Sequence, residues 1–157
     1  MDRDDTGSVR VRYDGLPISE FAFPGPLRDR LVAAVLDGTK TATTSTLAEY
    51  SLLEEPVPVA GARAVVVDSR GRPVAITETT EVRVVRAGDV DLRHAIDEGE
   101  GYTSLAQWRA DHEAFWHGTE FREAVGDLAF RVDDDTLLVL ERFRVVERLD
   151  VGDPSRA

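Results

Sequence analysis

The chain has 157 residues, enough for one domain with a substantial core and too few for two large ones. Hydrophobic residues at 42% and charged residues at 31% exclude a disordered tail protein, and no apolar run approaches the roughly 20 residues of a spanning helix, so no membrane partner is expected. Acids outnumber bases 30 to 19, and the net charge of −11 opposes broad attraction to a phosphate backbone, while a pocket that holds one nucleoside through a few placed groups stays compatible with it.

The opening Met1-Asp2-Arg3-Asp4-Asp5 carries acid where a secretory signal would carry a basic patch, so a cytoplasmic location is expected. Residues 1–25 read as an arm with at most an edge strand in the alternating run Val9 to Tyr13. Pro26 opens a helix whose Leu27, Leu31, Val35 and Leu36 share one face, and Gly38 stops it. Lys40 to Ser45, dense in hydroxyls and β-branched residues, predicts a short strand or loop at the helix exit. A second short helix is expected from Thr46 to Leu53, capped by Ser45 or Thr46.

Arg63 to Asp68 and Val74 to Val85, joined by the turn chemistry of Ser69 to Pro73, predict a hairpin. Asp91 to Asp97 predicts a short helix that the tetrad Glu98-Gly99-Glu100-Gly101 breaks. Ser104 then caps a longer helix, with Leu105, Trp108, His112, Phe115 and Trp116 recurring at steps of three and four. Leu137 to Val146 is a final strand, and residues 150–157 form a polar tail. Strands interrupted by helices without strict alternation argue for an α+β domain, and closure of a mainly antiparallel sheet into a small barrel would satisfy its edges.

The absence of cysteine removes disulfides, thiolate zinc sites and a cysteine nucleophile together. Of the 19 basic residues 18 are arginine and one, Lys40, is lysine. Arginine is always charged, whereas lysine gives up its proton when its surroundings disfavour the ammonium, so a chain that uses arginine for mere charge keeps its lysine for something else or by chance.

The set Gly38-Thr39-Lys40-Thr41-Ala42-Thr43, Glu49-Tyr50, Gly71-Arg72-Pro73, Glu98 to Gly101, Ser104-Leu105, Trp108-Arg109, His112 and Val139 to Phe143, in this order, resembles the ASCH domain family, in particular its longer bacterial members. The resemblance runs from about Leu27 to Leu149, within an expected domain of residues 26–149. It implies a PUA-like antiparallel β-barrel with flanking helices, an architecture associated with RNA and modified nucleosides. It also implies no cofactor. Small bacterial relatives are amidohydrolases that deacetylate N(4)-acetylcytidine with a Lys, a Thr three residues on and a Glu; others are ribonucleases.

Carried over residue by residue, the resemblance implies Lys40, Thr43 and a tetrad glutamate, Glu100 ahead of Glu98, as the catalytic set. Ser45 stands where small relatives have Arg, and Tyr102 where long members commonly have Asp, so the substrate stays open. Chemically, a neutral Lys40 would draw the proton from the Thr43 hydroxyl while Glu100 orients the pair or carries a proton to the leaving nitrogen. Each residue also has an ordinary alternative: Thr43 as a strand threonine, the tetrad acids as a solvated turn, Lys40 as a charge at the end of the preceding helix.

Glu98, Tyr50, Tyr102, Ser45 and Trp108 are expected around the cleft, with Tyr102 or Trp108 placed to stack a base. His112 and His117 lie five apart and no His-Glu-x-x-His motif occurs, so no metal is expected and His112 reads as a helix-packing histidine. The readings left open are an amide hydrolase acting on a modified nucleoside, a non-catalytic RNA or nucleotide-binding module, and a ribonuclease. The oligomeric state stays undetermined.

Overall fold

Helix α1 (Pro26–Asp37) begins on a proline, whose fixed φ and missing N–H suit a first turn, and ends at Gly38, whose φ of 87° is open to glycine without strain. The computed structural model describes residues 15–149, so the run Val9 to Tyr13 and the tail 150–157 lie outside the described residues. The elements follow as β1 (Ile18–Ser19), α1, β2 (Ala42–Thr46), α2 (Leu47–Leu52), β3 (Arg63–Val67), β4 (Pro73–Arg86), α3 (Leu92–Asp97), α4 (Leu105–Trp116), α5 (Thr119–Val125) and β5 (Leu137–Arg148).

The helix starts have chemical causes. Thr46 and Glu49 form a reciprocal capping box on α2, the Asp91 side chain accepts from His94 N at the start of α3, and Ser104 accepts from Gln107 N at the start of α4. Helix α5 has no counterpart among the expected elements. Its apolar signal is one pair, Phe121 and Val125, too short a period to stand out.

The five strands form one sheet in the order β1-β3-β4-β5-β2, with β1 parallel to β3 and every other pair antiparallel. The expected antiparallel barrel is thereby corrected: among the described residues the sheet is mixed and open. Strand β1 is two residues long and offers too few hydrogen bonds to close a ring. The far edge is covered instead by α3, through Thr41 N donating to Asp97 O and an Arg142–Asp97 ion pair at 2.8 Å. Two register shifts between β4 and β5 bend these long strands without closing them.

The arm is part of the fold from Leu16 onward. Arg28, 2% exposed, donates to the carbonyls of Phe21, Ala22 and Asp68 and pairs with Glu20, and this ties Phe21 into the core. One sheet face packs Leu31, Val32 and Val35 of α1 against Phe21, Val66, Ala75 and Phe143. Another core joins Trp108, Trp116, Phe121 and Val125 of α4 and α5 to Leu138 and Leu140. Alternation along β2 and β5 therefore decides which core each side chain meets. No helix among the described residues is long and apolar enough to cross a membrane.

Candidate functional site

Lys40 leaves α1 two residues past Gly38 and is 2% exposed. Its Nζ donates to Ala42 O at 2.9 Å and Glu98 O at 3.3 Å, and lies 3.6 Å from Glu100 Oε2 and 5.7 Å from the Phe21 ring centroid. Two carbonyl oxygens thus take two N–H donors of the amine, and Glu100 stands beyond hydrogen-bond reach as its ion-pair partner.

The tetrad reaches Lys40 because residue 99 has no side chain. Gly99 adopts φ 74°, and a Cβ there would lie 2.5 Å from Thr39 O and 2.7 Å from the Lys40 N and Cα. Gly99→Ala therefore combines left-handed strain with a clash against backbone that cannot swing aside. We expect a loss of about 2–4 kcal/mol, read by denaturant unfolding, with retreat of the tetrad from Lys40.

Glu98, the cap residue of α3, is 1% exposed and is the hub of the site. Its Oε2 accepts a short hydrogen bond from Thr44 Oγ1 and lies 3.3 Å from His94 Nε2, while Oε1 lies 3.0 Å from His112 Nε2. Thr44 Oγ1 is also 2.7 Å from His94 Nε2. Because Thr44 spends its proton on Glu98, His94 must carry hydrogen on Nε2, which leaves its buried Nδ1 without a partner. Residues 94 and 98 are one helical turn apart, so α3 presents both to β2.

Burial alone would raise the Glu98 carboxyl, but hydrogen bonds from His112 and His94 and the charge of Lys40 hold it well below the ordinary carboxylate value. Burial likewise works against charge on His112, yet the Glu98 hydrogen bond and charge and the Trp108 carbonyl raise it above the ordinary imidazole value. Its Nδ1 meets Trp108 O at 2.8 Å, so both ring nitrogens face acceptors as an imidazolium requires. Glu100 differs. Burial and then the Glu98 charge raise its carboxyl against the pull of Lys40, and its side chain keeps 22% exposure. The site therefore sets a carboxyl held below its ordinary value beside one raised above it.

Lys40, Glu98 and Glu100 come together, and His94, His112 and Thr44 join them without having been singled out for it. The pairing of His94 with Glu98 was visible as an i,i+4 step, whereas His112 shows its role only through the packing of α4 on α3. His112 was read as a packing histidine, and it does stack on Trp108 at 4.3 Å, but its other ring nitrogen serves Glu98. Trp108 is 1% exposed, which leaves no free face for a base. Tyr102, 8% exposed, donates to Asp111 at 3.1 Å, with its ring 6.0 Å from His112.

Thr43 is not beside the Lys40 amine in the same way. It pairs across the ladder with Glu141, and Ser45 pairs with Val139, so both occupy the opposite face from Thr44, which pairs with Leu140. Tyr50 belongs with that second face, where Ser45 hydrogen-bonds its hydroxyl and burial pushes the phenol up to about 12. Glu98, Glu100 and His112 also bring one donor atom each within 4.8 Å, a spacing that three metal ligands use. The Trp108 carbonyl engages the Nδ1 of His112 and leaves its Nε2 facing Glu98, while the Lys40 amine lies 3.6 Å from Glu100 Oε2.

The family model described as ASCH domain matches residues 20–147. The chain is similar to the ASCH domain of Lactobacillus crispatus JV V101, with 32% identity and TM-score 0.71 over 83% of this chain and 79% of that one. It is also similar to protein EF3133 of Enterococcus faecalis V583, of family DUF984, with 32% identity and TM-score 0.70 over 82% and 75% of the two chains. No curated protein matches the sequence. An open α+β sheet, a lysine held by the tetrad, and a match over most of the length lead to one conclusion: the chain belongs to the ASCH domain family.

Proposed function

We propose that this ASCH domain takes an RNA-derived nucleoside beside Glu100, the partly exposed partner of Lys40, and hydrolyses an exocyclic amide of the N(4)-acetylcytidine type. Family membership supports the RNA-related part of this reading. The observation that carries the hydrolytic part is the chain's sole lysine, 2% exposed, with its amine 3.6 Å from a carboxyl raised above its ordinary value.

Lys40 acts in this reading as an ammonium clamp on the amide oxygen, where negative charge develops during attack. Glu100, as carboxylate, takes a proton from a water molecule whose oxygen bonds to the carbonyl carbon. The resulting acid passes that proton to the amide nitrogen as the carbon–nitrogen bond breaks, giving a carboxylic acid and a free amine. Glu98 stays ionised throughout and holds Lys40 and His112 in place. Thr43 lies on the opposite sheet face from Thr44, and attack falls to water.

Chromatography of N(4)-acetylcytidine incubated with the protein tests this reading, with cytidine and acetate as expected products. Glu100→Gln should lower turnover by about 10²-fold or more, the usual contribution of a positioned acid–base group. The acidic limb of the wild-type rate profile should lie above the ordinary carboxylate value, because Glu100 must lose its proton to act and its environment raises it. No product from wild type, or full turnover by Glu100→Gln, sinks the proposal.

A further inference from the structure

Glu98, Glu100 and His112 bring their donor atoms together, and among the described residues no other three His, Asp or Glu side chains meet within 4.8 Å. The trio is assembled across the fold. Glu98 caps α3, Glu100 follows it in the tetrad and His112 comes from α4, so no local motif marks the three in the sequence.

Their surroundings hold them as metal ligands are held. A metal-binding imidazole puts one ring nitrogen on the ion and gives the N–H of the other to a carbonyl or carboxylate, which fixes its tautomer and ring plane. His112 already has that second contact, with Nδ1 2.8 Å from Trp108 O and its ring stacked on Trp108 at 4.3 Å. A ligating carboxylate is in turn hydrogen-bonded. Glu98 meets this too: Thr44 donates to Oε2, and Oε1 faces His112 Nε2 at 3.0 Å. Donors about 2.0–2.1 Å from a tetrahedral ion stand roughly 3.3 Å apart, so this pair is close to ligand spacing. Glu100 and His112 keep 22% and 16% side-chain exposure, which gives an ion a way in.

Charge is also answered. Two carboxylates balance a dication, while Lys40 keeps the carbonyls of Ala42 and Glu98 at 2.9 and 3.3 Å. The ion takes the place of a proton between Glu98 Oε1 and His112 Nε2. Imidazole beside two carboxylates suits a zinc-type ion, whereas magnesium favours ligation by oxygen alone.

We propose that Glu98 Oε1, His112 Nε2 and a carboxylate oxygen of Glu100 bind one divalent ion of the zinc type, and that the bound ion switches off the chemistry of Glu100. The switch rests on the functional reading above; the metal site does not. A carboxylate coordinated to a dication is too weak a base to take the proton from water, and no acid then remains beside the leaving nitrogen.

Calorimetric titration of the EDTA-treated, dialysed full chain with zinc chloride tests the site. Wild type should bind one ion per chain, and Glu100→Gln and His112→Phe should each weaken binding by at least about tenfold. Phenylalanine keeps the stacking on Trp108 without a donor, and Glu100→Gln, at the most exposed ligand, serves if that variant does not fold. His117 caps the C-terminal end of α4 and accepts from Val132 N at 2.9 Å, so His117→Gln should bind zinc as wild type does. Magnesium chloride should not compete.

No binding by wild type, a wild-type isotherm in Glu100→Gln or in folded His112→Phe, equal weakening in His117→Gln, or competition by magnesium overturns the metal site. Turnover of N(4)-acetylcytidine in the same preparations separates it from the hydrolytic reading. Saturating zinc should lower the wild-type rate by about 10²-fold, the contribution of the acid–base group it removes, and EDTA should restore it. Unchanged or faster turnover with zinc bound rejects the switch. Zinc binding by a chain that shows no turnover after EDTA treatment keeps the metal site and rejects hydrolysis and the switch with it, whereas turnover without zinc binding rejects the metal site alone.

Discussion

Glu98→Gln is expected to cost about 3–5 kcal/mol of folding stability, because it removes one partner of a buried charge network and leaves the others unanswered. The change is isosteric, so it creates no cavity, and the loss can be assigned to charge. Lys40, 2% exposed, would keep its carbonyl partners, but His112 would lose the anion that holds it above the ordinary imidazole value. At about 2–4 °C per kcal/mol for a domain of this size, the fall in Tm should be easy to see.

The pH dependence follows from the two shifts. The Glu98 carboxyl is held below its ordinary value, so its stabilisation is complete at neutral pH and is lost as pH falls through the folded-state value. His112 is raised, so its stabilisation is complete below the ordinary imidazole value near pH 6.5 and is lost as pH rises through the raised value. The advantage of wild type over Glu98→Gln should therefore peak under mildly acidic conditions and shrink on both sides. Thermal melts from pH 4 to 9 check this; a difference that does not vary with pH would mean the pair carries no net charge coupling.

Lys40→Met should have the largest effect on chemistry. Methionine fills much of the same buried space without the ammonium, so the oxyanion loses its clamp while the pocket stays packed. Removing one such donor from a preorganised site costs about 10²–10³-fold in kcat. The variant also leaves Glu98 and Glu100 without their shared cation, and the Glu100 carboxyl should rise further, moving the acidic limb of any residual activity upward. Circular dichroism verifies folding, and single-turnover kinetics separate the chemical step from binding. Turnover within a factor of two of wild type would remove Lys40 from the mechanism.

Much of this arrangement was legible in the sequence because local chemistry decides it. Pro26 and Gly38 bracket α1, the Thr46–Glu49 box starts α2, Ser104 starts α4, and the β3–β4 hairpin follows from its apolar runs and the turn between them. The open sheet was not legible, since closure depends on whether β1 and β2 meet, and no local pattern encodes how two distant edges lie. Within the site, the lone lysine stood out by composition, but the different surroundings of Glu98 and Glu100 did not. The first is enclosed by His94, His112 and Thr44, and the second stands at the mouth. Thr43 and Thr44 differ by one residue and thus by a whole sheet face, a distinction that register alone supplies.

The role of Gly99 shows the same limit. A glycine between two acids suggests a solvated turn, and the close approach of Lys40 backbone that requires it is a long-range contact. His94 offered a hint, since its i,i+4 spacing from Glu98 is a local signal, but His112 enters from another helix through Trp108 stacking.

Selective labelling with lysine enriched in nitrogen-15 gives this chain a single side-chain amine resonance, because Lys40 is its one lysine. The buried ammonium, held by two carbonyls and paired with Glu100, should be visible at neutral pH with slow hydrogen exchange, and its shift should move in both Glu98→Gln and Glu100→Gln. An amine that exchanges at the rate of a free lysine and ignores both substitutions would contradict the pocket on which the account rests.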